Sequence, residues 1–142
     1  MIPNPWRRLR TDWPAVEVHE ADLGHRWEVT RWEAAGPRIY LHEDLTQVQR
    51  RAALTHALEH LDRGAPCESL RAAIEQRVVD ATARWLLPDA EVIAAAMTAY
   101  DDDLHRAAHE LWVPFHVLVD RIHTLTEDEW ALIDKRRGDA VA

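Results

Sequence analysis

Two histidines four residues apart, in the run His56-Ala57-Leu58-Glu59-His60, are the residues of this chain best suited to chemistry. On a helix, side chains at i and i+4 stand one turn apart, with Cβ atoms about 5–6 Å from each other. Two imidazoles so placed reach one zinc ion at about 2.0–2.1 Å each. Spacing alone is a weak signal, because nine histidines in 142 positions generate about 0.6 such pairs by chance. A second pair, His105 and His109, indeed exists, but it lies among Asp101, Asp102, Asp103 and Glu110 and reads as a solvated face. The first pair has different company. At about 100° per residue, Ala53, Leu54, Ala57, Leu58 and Leu61 share one apolar face, and His56 and His60 stand together at its margin.

A catalytic zinc takes three protein ligands and keeps a fourth position for water or substrate. The following helix offers Glu68, Glu75 and Asp80. On the wheel Glu75 falls inside the apolar face, between Val79, Thr82 and Leu86, whereas Asp80 falls with Gln76, Arg77 and Arg84. A carboxylate facing a core is costly unless it is paired or binds a metal. Glu75 is therefore the expected third ligand, with an ion pair to Arg71 as the alternative. Glu68 flanks the same face and is the fallback ligand. Cys67 lies between His60 and Glu75 in the chain, either as a fourth ligand or as a structural thiol.

These groups need elements to position them. Thr46-Gln47-Val48-Gln49 fits a capping box, which starts a helix that runs to about Asp62 and stops at Gly64. Pro66 opens a second helix over about 68–87, ended by Pro88. Shorter helices are expected at about 89–99, 103–112, 114–124 and 126–137. Upstream, residues 15–19, 26–32 and 38–42 alternate as half-buried strands do, with Ala34-Ala35-Gly36-Pro37 as a turn. Short connections favour an antiparallel sheet. The expectation is a single α+β domain over 1–142. An irregular segment 1–14 comes first, then a small three-stranded antiparallel sheet over 15–43. Metal-site helices over 45–88 follow, then C-terminal helices over 89–142, about six helices in all.

Composition narrows the function classes. The chain is 47% hydrophobic and 30% charged, as folded domains are and disordered ones are not. A single cysteine excludes an intrachain disulfide and a four-cysteine zinc site. No apolar run approaches the roughly 18 residues of a membrane helix, and Met1-Ile2-Pro3-Asn4-Pro5-Trp6 lacks the build of a signal peptide, so a cytoplasmic location is expected. A net charge of −8 runs against nucleic-acid binding, which leaves a basic footprint. Residues 104–124 nonetheless echo a helix-turn-helix, with Ala108, Leu111, Val113, Leu118 and Ile122 as packing positions. Its second helix carries one arginine and one aspartate, so packing is the expected role and DNA binding the third-ranked function. Trp27, Trp32 and Trp85 are expected in the core.

From about Trp13 to Leu132 the chain resembles the ImmA/IrrE family of small metallopeptidases, in particular the short forms of actinobacteria and their phages. The likeness rests on Leu45-Thr46-Gln47, Arg50-Arg51, Thr55-His56, His60-Leu61 and Arg63-Gly64. Glu75 followed by Trp85-Leu86-Leu87-Pro88, the segment Ala108-His109-Glu110-Leu111-Trp112-Val113, and residues 118–125 add to it. The resemblance implies a zincin-like fold and Zn2+ held by His56, His60 and Glu75. It also implies cleavage of a partner protein, a transcriptional repressor or regulator. An extended substrate segment is expected to add to a free sheet edge formed by Arg38, Ile39, Tyr40, Leu41 and His42.

One position departs from the family. Its motif is His-Glu-x-x-His, and the glutamate activates water for attack on the peptide bond. Here that position is Ala57. A methyl group neither accepts nor donates a proton, and losing a positioned base costs about 10²–10⁴-fold in rate. Three readings follow. Ala57 stands for a glutamate removed by engineering; or the protein is naturally inactive and works by binding and sequestering a regulator; or Glu59 is the base, in the inverted order His-x-x-Glu-His. Glu59 lies about 60° from His56 on the wheel, but on the polar side with Thr55 and Asp62.

Overall fold

The computed structural model describes residues 2–141. In it the strands β2 (Glu28–Glu33) and β3 (Gly36–His42) form an antiparallel hairpin. Gly36 closes the turn at φ +121°, a backbone conformation that only glycine adopts without strain. Thr30 stands opposite Ile39 and Glu28 opposite Leu41. On the other side of β3, β1 (Val18–Ala21) pairs in parallel, Val18 opposite Ile39 and Glu20 opposite Leu41.

The sheet order is therefore β1-β3-β2, and the sheet is mixed, not antiparallel as expected. Short connections limit how far a strand can travel but do not choose its partner. Segment 22–27 carries the chain from one edge of the sheet to the other, leaving the central place to β3. A second expectation goes with it. Arg38, Ile39, Tyr40, Leu41 and His42 form the middle strand, paired on both sides, and are not a free edge. The edges are β1 and β2.

Residues 1–14 also differ from the irregular segment expected. A helix, α1 (Pro5–Asp12), forms because Asn4 caps it, its side-chain oxygen accepting from the Trp6 and Arg7 amides at 3.0 and 3.3 Å. Pro5 occupies the first helical position, where the missing N–H is no loss. Read alone, three prolines look like a breaker; after an asparagine, one of them is a helix start.

α2 (Gln47–Arg63) lies against the sheet. Its Ala53, Leu54, Ala57, Leu58 and Leu61 join Ile39 and Leu41 of β3 and Leu9 of α1 in one buried cluster, on which Trp6, Trp13, Val18 and Trp27 pack. Strand residues paired side by side share a face, so Val18, Thr30 and Glu28 point the same way as Ile39 and Leu41, toward α2. Polar ties reinforce this layer. Arg51 donates to the Pro3 carbonyl at 3.0 Å, Trp13 Nε1 to Asp62 at 3.1 Å, and Arg50 of α2 pairs with Glu20 of β1.

After one 3-10 turn (Glu68–Leu70), α3 (Arg71–Leu86) follows. The chain divides into two compact units, 1–82 and 83–142, with the boundary inside α3. The second unit holds α4 (Ala90–Ala99), α5 (Leu104–Glu110), α6 (Phe115–His123) and α7 (Glu127–Val141). Seven α-helices are thus present among the described residues, against about six expected. The pair α5 and α6 coincides with the expected helix-turn-helix-like pair, and its Ala108, Val113 and Leu118 are buried. Arg121 of α6 is fully buried: its Nε donates to the Leu87 carbonyl at 2.7 Å and its Nη2 to Glu129 at 2.5 Å. No helix among the described residues is long and apolar enough to cross a membrane.

Candidate metal centre

The start of α2 is fixed by a reciprocal cap, as the sequence suggested. Gln49 N–H donates to Thr46 Oγ1 at 3.2 Å, and Thr46 N–H donates to Gln49 Oε1 at 3.0 Å. With that start and the apolar face docked on the sheet, the helix can present His56 and His60 only at its margin. Their rings lie 5.0 Å apart between centroids, and each side chain is about one-fifth exposed.

Glu75 of α3 spans the two rings. Its Oε1 is 2.9 Å from His56 Nε2 and its Oε2 is 2.9 Å from His60 Nε2. The residue expected as third ligand is thus brought to the pair, but not in the setting expected of it. Its side chain is 49% exposed, where the wheel implied a core position. The first turns of α3 are mostly exposed, and full burial begins at Val78. What faces Glu75 is the histidine pair.

The other candidates are not brought in. Glu68, the fallback ligand, is 91% exposed and stands 3.9 Å from Arg71, so the arginine considered for Glu75 pairs with Glu68 instead. Cys67 is exposed, with Sγ 3.2 Å from Ser69 Oγ. Glu59 is engaged elsewhere on α2: its Oε1 meets Arg8 at 2.8 Å and its Oε2 meets Arg63 at 2.9 Å. Held between two guanidiniums, it is engaged away from His56 and His60, which does not favour the inverted-motif reading. Ala57 is completely buried in the apolar cluster.

One functional residue was missed. Glu28 of β2 brings Oε1 to 3.6 Å from His56 Nε2. Donor atoms of Glu28, His56 and His60 all lie within 4.8 Å of one another, the group of this kind found among the described residues. The Glu28 side chain is only 17% exposed. Burial pushes its carboxyl up to about 7, the neighbouring Glu75 carboxylate adds to the rise, and Arg26 opposes it. Its position follows from the register with Leu41, which no pattern within 26–32 reveals.

The donor set suits a divalent cation. Metal–ligand bonds of about 2.0–2.1 Å in a tetrahedron put donor atoms about 3.3 Å apart. The separations from His56 Nε2 at this site, 2.9 Å to Glu75 and 3.6 Å to Glu28, lie on either side of that spacing. Imidazole and carboxylate together accept zinc and several other first-row ions. Comparison of the chain with family models, with curated proteins and with solved structures finds no match.

Proposed function

We propose that this chain is a zinc-binding domain of the ImmA/IrrE peptidase type that engages a regulator protein, of the transcriptional-repressor class, and is impaired in cutting it. The observation that supports the reading most is the meeting of His56 and His60 of α2 with Glu75 of α3 at 2.9 Å. Those three are the residues that the resemblance assigns to the metal. In a competent peptidase of this type zinc supplies Lewis-acid polarisation of a carbonyl; here it would at least tie α2 to α3. The chain's own residues would do the rest. His56 and His60 orient the site from one helix face, and Glu75 ties the next helix to it. Ala57, at the position of the general base, moves no proton.

An extended partner segment would add to β2 by main-chain hydrogen bonds. This edge strand carries Glu28 beside His56. A cytoplasmic location belongs to the same reading. DNA binding through residues 104–124 is not favoured, because Arg121, the only arginine of α6, is buried against Glu129 and the Leu87 carbonyl. Phosphate contacts need exposed cations.

Metal content tests the proposal. The purified protein is expected to carry stoichiometric zinc, and His60→Ala and Glu75→Gln to lose most of it. Equal zinc in all three would remove the centre, and the peptidase-type reading with it.

A further inference from the structure

Resting on the metal-binding reading, we infer that Glu28 supplies a fourth protein ligand, so that the centre is closed and holds its ion without leaving a position for water or substrate. The argument is geometric and then electrostatic. Three elements converge here: α2 with two imidazoles, α3 with Glu75, and β2 with Glu28. Glu75 Oε1 lies 2.9 Å and Glu28 Oε1 3.6 Å from the same atom, His56 Nε2. Donor atoms of Glu28, His56 and His60 by themselves all lie within 4.8 Å of one another. Adding Glu75, which touches both rings, completes four donors from four residues. An open catalytic site has three protein donors, and a closed structural one has four.

Charge points the same way. Two neutral imidazoles and two carboxylates sum to −2, which a dication cancels. A carboxylate as enclosed as Glu28, facing a second carboxylate, is unfavourable unless a cation lies between them. Arg26 is the cation that acts on Glu28 from its own strand region. A closed centre also makes chemical sense of Ala57. Where no water is held for attack, a general base has nothing to activate.

Cobalt substitution tests this, with a readout independent of catalysis. The metal-free protein and its Glu28→Gln and Glu28→Ala variants are loaded with Co2+, and visible spectra are recorded with and without acetohydroxamate. The parent is expected to give intense four-coordinate bands that acetohydroxamate leaves unchanged. Both variants are expected to give bands that acetohydroxamate shifts, and to bind zinc on the order of 100-fold more weakly in competition with a chromophoric chelator. A parent spectrum that shifts with acetohydroxamate, or zinc affinity unchanged in both variants, overturns the closed centre while leaving the metal site itself intact. Failure of the parent to bind either metal sinks the metal-binding reading and this inference together. Circular dichroism of the variants is expected to match the parent and checks that the fold is kept.

Discussion

At the residue scale, the decisive position is Ala57. It is fully buried between the two histidines in sequence and inside the apolar cluster in space. Placing a carboxylate there has two separable consequences. Burying it without a partner costs at least about 1–3 kcal/mol, so metal-free Ala57→Glu is expected to unfold at lower urea than the parent. In the metal-loaded protein, Ala57→Glu combined with Glu28→Gln is expected to hydrolyse a peptide substrate that the parent leaves whole, because the pair both restores a base and opens a position. Ala57→Glu alone is expected to remain far slower than the pair. Peptide cleavage followed by mass spectrometry checks both. Equal rates for the single and double variants would show that Glu28 does not obstruct the site. The contrast with Glu59 is instructive: it is a carboxylate close in sequence to both histidines, but Arg8 and Arg63 engage both of its oxygens.

At the element scale, buried polar ties decide how the helices of the second unit are held. Arg121 has no exposed surface and is satisfied by the Leu87 carbonyl and Glu129. Glu129 also accepts from the Thr126 amide at 3.0 Å, so one side chain both caps α7 and neutralises α6. The Arg121 guanidinium holds the Glu129 carboxyl at about 2, well below its usual value of 4.5. A depressed folded-state pKa stabilises above the unfolded value and is lost as pH falls through the folded one. Stability from this pair is therefore full above pH 4.5 and disappears toward pH 2, a change on the order of 3 kcal/mol. Urea titrations across that acid range are expected to show the loss in the parent and a flatter profile in Glu129→Gln. Removing the cation is harsher, because it leaves a carboxylate without its partner: Arg121→Met is expected to destabilise by about 3–5 kcal/mol at neutral pH. At the other end of the chain, Asn4→Ala removes the cap of α1 and is expected to cost about 0.5–2 kcal/mol, read from the denaturation midpoint.

At the scale of the whole molecule, the proposed metal centre falls entirely in the first unit, since Glu28, His56, His60 and Glu75 all precede residue 83. An ion that binds only the folded state stabilises it by mass action. Chelation is therefore expected to speed amide exchange in β2, α2 and the first half of α3 while leaving α4 and α7 protected. Hydrogen exchange with and without EDTA reads this directly, and uniform loosening of both units would contradict a centre confined to the first. Much of this organisation was legible in the chain before any coordinates. Helix α2, its capping box and its stop at Gly64, and the histidine pair at the margin of its apolar face are all local: each follows from periodicity, capping chemistry and spacing over a few turns. Glu75 was picked out by a core-facing position that it does not occupy. Asn4 before Pro5 is equally local: an N-cap followed by a proline at the first helical position starts α1, although the prolines by themselves point to an irregular segment. Tertiary structure alone decided the rest. Strand pairing depends on which backbones meet, so the parallel β1, the central place of β3 and the loss of its free edge lay beyond any single segment. The same register turned Glu28 toward α2, because a residue's face is set by its cross-strand neighbour and not by its own strand's pattern. Distant groups likewise took Arg121 out of solvent and brought Arg8 of α1 to Glu59, which its own helix already pairs with Arg63.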